Sequence, residues 1–149
     1  NATGITMAQI LEHRSGIHDA EPDGSWGLQP RTKDEVVARI AQGRPDFEPG
    51  SRTQYSNSGY ALLGYIVEMV DGNAYAEALK NRVTSKLGLK NTYLGVSKSD
   101  PSRNEALAYR YIAGWAESAQ LDFSVTGGGG AILSSPADMA TFIQALFDL

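Results

Sequence analysis

Phe47-Glu-Pro-Gly50-Ser-Arg-Thr-Gln-Tyr55-Ser56-Asn57-Ser-Gly59-Tyr-Ala-Leu-Leu-Gly64-Tyr-Ile66 is the stretch whose reading decides the rest of this chain. Its first half, with Pro49 and Gly50, has turn chemistry, and its second half is apolar at helical spacing. Tyr55 and Asn57 stand just ahead of that helix. In extended backbone, residues i and i+2 point the same way, so the two side chains can share a cleft while Ser56 faces away.

Working outward, the helix over roughly 58 to 71 puts Leu62, Ile66, Met69 and Val70 on one stripe and stops before Gly72. Upstream, Thr32-Lys-Asp-Glu35 has the form of a capping box. It opens a helix with Val36, Val37 and Ile40 inward that closes at Gly43. Thr6-Met-Ala-Gln9 is a second such box, ahead of a short apolar helix through Ile10 and Leu11 that stops near Ser15-Gly16. Between the two, residues 17 to 31 hold Pro22, Gly24, Gly27 and Pro30 and read as a long loop. Downstream, Asn73 begins a helix with Leu79 and Val83 on its inner face, closing at Leu87-Gly88. Asn91 to Val96 and Leu107 to Trp115 read as short strands or hairpin arms.

Thr126 to Gly130 is a glycine run, and Ala131-Ile-Leu133 a short extended piece. Ser135-Pro136-Ala-Asp138 then supplies an N-cap, a proline at the first helical position and an acid in the first turn. The last helix carries Met139, Phe142, Ile143, Leu146 and Phe147 at helical spacing. Four or five helices against two or three short strands make a mainly α fold with short β-hairpin elements.

Composition narrows the function classes. The 149 residues suit one domain or one lobe of a larger one. A net charge of −4 offers no basic footprint for nucleic acid. No apolar run approaches the roughly 18–20 residues of a membrane span. The chain has no cysteine, which removes disulfides and thiolate metal sites. Asn1-Ala2 reads as a scar of tag removal, and the last helical pattern runs to Leu149 without a C-cap. Residues 3–149 are therefore expected to be a fragment of a longer domain.

Alone, Tyr55 reads as a buried aromatic at the start of a helix, and a lone Tyr-x-Asn carries little weight. Three further segments stand around it in order. They are Ile5-Thr-Met-Ala-Gln-Ile10-Leu-Glu-His13-Arg-Ser15-Gly16-Ile17, then Phe47-Glu-Pro-Gly50, then Gly129-Gly130-Ala-Ile-Leu133-Ser-Ser135-Pro-Ala-Asp138. The ordered set, spanning about residues 5 to 147, resembles the serine β-lactamase and penicillin-binding protein superfamily, in its class C-like β-lactamase, D,D-peptidase and esterase branch. The resemblance implies the helical lobe of a β-lactamase/transpeptidase-like fold. It makes Tyr55 the general acid/base and Asn57 a substrate-positioning residue, in an enzyme that cleaves an amide or ester through an acyl-serine. It implies a small-molecule or peptidoglycan-like substrate, no metal or organic cofactor, and an extracytoplasmic home. A phenol with a pKa near 10 is a poor base at neutral pH, so the role needs nearby cations that favour phenolate.

The chain departs from the family pattern at the nucleophile, a Ser three residues before a Lys. Three residues before Lys33, Lys80, Lys86, Lys90 and Lys98 stand Pro30, Glu77, Val83, Leu87 and Gly95. The family's later Lys/His-x-Gly motif is also missing, since Lys86-Leu-Gly88 reads as a helix C-cap. This polypeptide alone is expected to be inactive. A non-catalytic binding or assembly module on the same fold is the alternative. His13 and His18, with Glu12 and Asp19, match no zinc spacing, and His13 is expected to pin the loop after its helix by a hydrogen bond. Gly127 to Gly130 lacks the residues of a phosphate loop and reads as close backbone packing. Trp26 and Trp115 read as packing residues, and Glu12, Asp19, Glu21 and Asp23 as a solvated acidic face. In the family the nucleophile-bearing helix runs through the lobe. Its absence is expected to leave an apolar groove that a second copy covers, giving a homodimer.

Overall fold

The computed structural model describes residues 4–21, 31–95, 100–118 and 127–148. The expectations placed on Asn1, Ala2, Pro22, Asp23, Gly24, Trp26, Gly27, Pro30, Val96 and Thr126 lie outside the described residues. The expected class is the observed one: helices α1 (Met7–Leu11), α2 (Lys33–Gln42), α3 (Asn57–Asp71), α4 (Tyr75–Leu79), α5 (Ser85–Leu87) and α6 (Pro136–Phe147), with short strands β1 (Tyr93–Leu94), β2 (Tyr109–Tyr111), β3 (Trp115–Glu117) and β4 (Ile132–Leu133).

Local chemistry starts and stops these elements as read. Thr6 and Thr32 each accept from the backbone N–H three residues on, and Gln9 and Glu35 reach back to the cap. Gly72 (φ 73°) and Gly88 (φ 68°) end their helices in the left-handed region. Ser135 caps α6 by accepting from Asp138 N, with Pro136 at the first helical position. Two boundaries move. The first helix ends at Leu11, because His13 (φ 57°) has already turned left-handed. The fourth begins at Tyr75, since the Asn73 amide is spent on the Asp71 carbonyl and carboxylate. Between α4 and α5 the rod widens into a π turn over Lys80–Thr84.

α3 is the axis of the structure. Val36 and Ile40 of α2 are buried against Leu62 and Tyr65 of α3 and against Ile17 and Ala20. Each such burial is worth about 1.5–3 kcal/mol. The buried positions within α3 are Ser58, Gly59, Ala61, Leu63 and Gly64. Met69 and Val70, expected inward, are instead 83% and 81% exposed. The helix is held closest where its residues are small. A Cβ on Gly128, in the 3₁₀ turn Gly127–Gly129, would lie 2.3 Å from the Tyr60 carbonyl oxygen, and one on Gly64 would lie 2.8 Å from Gly128 N. The glycine run is therefore a backbone-on-backbone contact with α3, as expected.

The two sheets are small and separate. β1 pairs antiparallel with β4, Tyr93 opposite Leu133, and β2 with β3, Tyr109 opposite Glu117. The Asp138 carboxylate accepts from Asn91 N (2.7 Å) and Thr92 Oγ1 (2.8 Å), tying the start of α6 to the approach of β1. Glu68 joins α3 to both neighbours, bonding Lys33 of α2 and accepting from Tyr75 N of α4. Burial opposes ionisation of Glu68, but these donors outweigh it and hold the carboxyl below its ordinary range.

Val37, also expected inward, is exposed on α2. Met139, Ile143, Leu146 and Phe147 of α6 are exposed as well. Trp115 is 76% exposed on the β2–β3 hairpin, edge-on to Tyr111 at 5.4 Å, and does not serve as a core residue. No helix among the described residues is long and apolar enough to cross a membrane.

Gly16 and Gly72 share φ +73°, but only Gly16 is crowded: a Cβ there would lie 2.1 Å from the Phe47 carbonyl oxygen. Gly72→Ala is expected to cost about 1 kcal/mol, from the left-handed backbone alone. Gly16→Ala is expected to cost at least about 2–3 kcal/mol more, from main-chain displacement. Urea midpoints for the two variants check the difference.

Candidate active site

The left-handed turn at His13 sends the chain back against the loop that leads into α3. His13 O accepts from Gln54 N (2.9 Å), Arg14 O from Gly50 N (2.8 Å) and Gly16 O from Asp46 N (2.9 Å). Arg14 adds a side-chain bond to the Gly50 carbonyl. These bonds fix residues 46–54, with the turn at Pro49–Gly50, against the first segment, so the chain reaches Tyr55 with its direction already set.

Alternation then acts as the sequence leads one to expect. Ser56 is buried and caps α3, its Oγ accepting from Gly59 N at 3.2 Å. Tyr55 and Asn57 emerge on the other side, and Tyr55 Oη donates to Asn57 Oδ1 at 2.9 Å. The Tyr55 side chain is 64% exposed. By contrast, burial, and then the Glu68 carboxylate, pushes the Tyr65 phenol up to about 12. Tyr65 is thereby disfavoured as a base.

Asp19 fixes the Asn57 amide. Its Oδ2 accepts from Asn57 N (3.0 Å) and from Asn57 Nδ2 (3.3 Å). With Nδ2 donating to a carboxylate, Oδ1 is the end left to face Tyr55. One residue on, Ala20 N donates to the fully buried Ser58 Oγ at 2.9 Å. The segment after Gly16 is thus stitched to the first turn of α3 at two successive positions.

Tyr55 and Asn57 open onto a cleft of about 570 Å³ shared with His18, Asp46, Arg52 and Gln54. Asp46 accepts from Gln54 Nε2 at 2.7 Å and lies 3.3 Å from His18 Nδ1. Arg52, the cation nearest the motif in sequence, lies over the Phe47 ring at 4.7 Å and donates to Gln54 Oε1 at 3.1 Å. A cleft of about 620 Å³ beside the π turn shares no residue with this one. We take the smaller as the candidate site because it holds the motif pair.

Three residues had roles the sequence did not disclose. Glu21 is not on a solvated face: it is buried and paired with Arg31 and with Arg39 at 2.7 Å. Asp19, from the same supposed acidic face, supports Asn57. His13 accepts from Ser56 N at 3.3 Å, the expected kind of bond, and also lies against the rings of Tyr55 and Tyr60 at 4.7 and 4.8 Å. The only signal for any of them is the His-x-Ser-Gly spacing.

Comparison with known proteins identifies the family and the fold. The family model described as Beta-lactamase matches residues 1–149. The D-alanyl-D-alanine-carboxypeptidase/endopeptidase AmpH of Escherichia coli K12 is 26% identical over 151 residues, covering 97% of this chain and 37% of AmpH. Penicillin-binding protein 4 of Amycolatopsis lactamdurans is 34% identical over 92 residues, 59% of this chain and 23% of that protein. The crystal structure of D-amino acid amidase from Ochrobactrum anthropi SV3, complexed with D-phenylalanine, superposes with a TM-score of 0.81 at 28% identity. That match covers 97% of this chain and 44% of the amidase. The chain spans less than half the length of each of these relatives.

Ser58→Ala is expected to destabilise the protein by about 1–3 kcal/mol, since it strands the Ala20 N–H beside a buried surface. Calorimetric melting, with the exposed Ser51→Ala as the near-neutral control, checks this.

Proposed function

We propose that this chain, which belongs to the beta-lactamase family, is the tyrosine-bearing half of a serine hydrolase that cleaves an amide or ester through an acyl-serine. The observation that carries the reading is the Tyr55–Asn57 pair, held by main-chain bonds and by Asp19 and presented to an open cleft. In this reading the serine comes from the remainder of the full-length protein, as no Ser in this sequence lies three residues before a Lys. The isolated chain is then inactive.

The chemistry follows from the atoms present. Tyr55 Oη as a phenolate accepts the serine proton while serine Oγ attacks the carbonyl carbon. The phenol then returns that proton to the departing amine or alkoxide as the carbon–heteroatom bond breaks. Water repeats the sequence on the acyl-serine, which releases the acid and restores the serine. The observed hydrogen bond belongs to the protonated phenol, because Oη is the donor. Once Oη gives up its proton it faces Asn57 Oδ1 with two acceptors and no hydrogen between them. An ammonium group brought to those two oxygens would relieve this and favour phenolate. Asn57 contributes its amide to positioning the substrate carbonyl or amide.

Small-molecule amides or esters and peptidoglycan-like peptides are the substrate classes, and an extracytoplasmic location accompanies the second. Self-association belongs to the same proposal: Met139, Ile143, Leu146 and Phe147 form an exposed apolar face on α6 that a second copy of the isolated chain would cover.

Two measurements test this reading. Intact mass spectrometry of the full-length protein after a fluorescent penicillin or a fluorophosphonate is expected to give one covalent adduct, formed about 10²–10⁴-fold more slowly by Tyr55→Phe. No adduct from either probe in a folded protein would favour a binding module. Light scattering of the isolated chain at micromolar concentration is expected to give the mass of a dimer, and a clean monomer would count against self-association.

A further inference from the structure

We propose that His13 is the positioning residue for Tyr55, an inference that rests on Tyr55 being the proton carrier. Tyr55 is largely exposed and turns about two side-chain bonds, so a hydrogen bond at its tip alone would leave the ring free to swing. The second constraint is the imidazole of His13, whose ring centroid lies 4.7 Å from that of Tyr55 with the planes tilted by 39°. The imidazole is itself braced. The Tyr60 ring stacks on it at 4.8 Å and 28°, and Tyr60 Oη donates to the Leu11 carbonyl at 2.9 Å.

The ring edge is fixed as well as its face. His13 Nδ1 accepts from Ser56 N at 3.3 Å, which puts the proton of the neutral ring on Nε2. Ser56 is the residue between Tyr55 and Asn57 and the cap of α3, so one imidazole holds the backbone behind the pair and the phenol in front of it. Its own main chain is set by φ 57° and by the Gln54 N–H on its carbonyl. Few side chains meet all three demands. Phe offers the ring face without the acceptor. Asn offers the acceptor and tolerates the left-handed backbone, but has no ring.

That separation gives the test. In the full-length protein, acylation by a fluorescent penicillin or a fluorophosphonate is followed for wild type, His13→Asn, Tyr55→Phe and the double variant. His13→Asn keeps the turn and the Ser56 bond, and urea unfolding verifies that it folds. It is expected to lower the acylation rate constant about 10- to 100-fold, as displacement of a catalytic group does, with the concentration dependence changed less than about twofold. In the Tyr55→Phe background the same substitution is expected to change the rate less than about twofold, because His13 acts through the phenol. An equal loss in both backgrounds, or no loss in either, would overturn the positioning role and leave the Tyr55 reading intact. A wild-type rate in Tyr55→Phe would overturn both.

A second measurement needs no turnover. The Tyr55 ring resonances of ring-labelled protein are expected to lose their ring-current displacement in His13→Asn and to keep it in His13→Phe. Unmoved resonances in His13→Asn would overturn the proposal.

Discussion

Three main-chain hydrogen bonds between residues 13–16 and residues 46–54 carry the architecture of the site. They join residues thirty or more apart in the chain, and each closes a buried or half-buried backbone group that would otherwise be costly to leave unmet. Everything later in the motif depends on them. The extended direction of the loop decides which of Tyr55, Ser56 and Asn57 turns inward, and the inward one becomes the cap of α3. The pair is therefore aimed by backbone geometry before any side chain touches it, and side chains from the first segment then restrict what freedom remains.

Legibility in the sequence follows the range of the interaction. Thr6, Thr32 and Ser135 announce their helices because a cap is satisfied within three residues. Gly72 and Gly88 announce ends for the same reason. The i, i+2 relation of Tyr55 and Asn57 is equally local. The face of α3 was legible only at Leu62, because apolar periodicity locates a stripe of large residues and this helix buries Ser58, Gly59, Ala61 and Gly64 beside Leu63. Close approach selects for smallness, and smallness leaves no hydropathy signal. Asp19 and Glu21 were misread as solvated since their partners, Asn57 on one side and Arg31 and Arg39 on the other, are matched by folding rather than by spacing. Trp115 misled in the opposite direction, as an aromatic whose bulk suggested a core that its hairpin does not reach.

Polar groups divide the labour of assembly between them. Glu68 binds α2, α3 and α4 at one carboxylate, Asp138 joins α6 to the approach of β1, and Glu21 gathers two guanidinium groups. Such junctions specify which element meets which more sharply than apolar contact does, because a misplaced partner leaves a charge unmatched. The apolar core around Val36 and Ile40 is correspondingly compact.

The contact between Gly64 and Gly128 has a consequence for how sequences of this kind can change. At most crowded positions a larger side chain can be accommodated by trimming the neighbour it strikes. Here each glycine meets main chain, which no substitution can shorten. The two positions are closed to compensatory exchange, singly and as a pair, unless α3 or the Gly127–Gly129 turn moves. Because α3 begins at Asn57, a shift of the helix would carry the motif with it. These two hydrogen-only side chains hold the helix axis to its register.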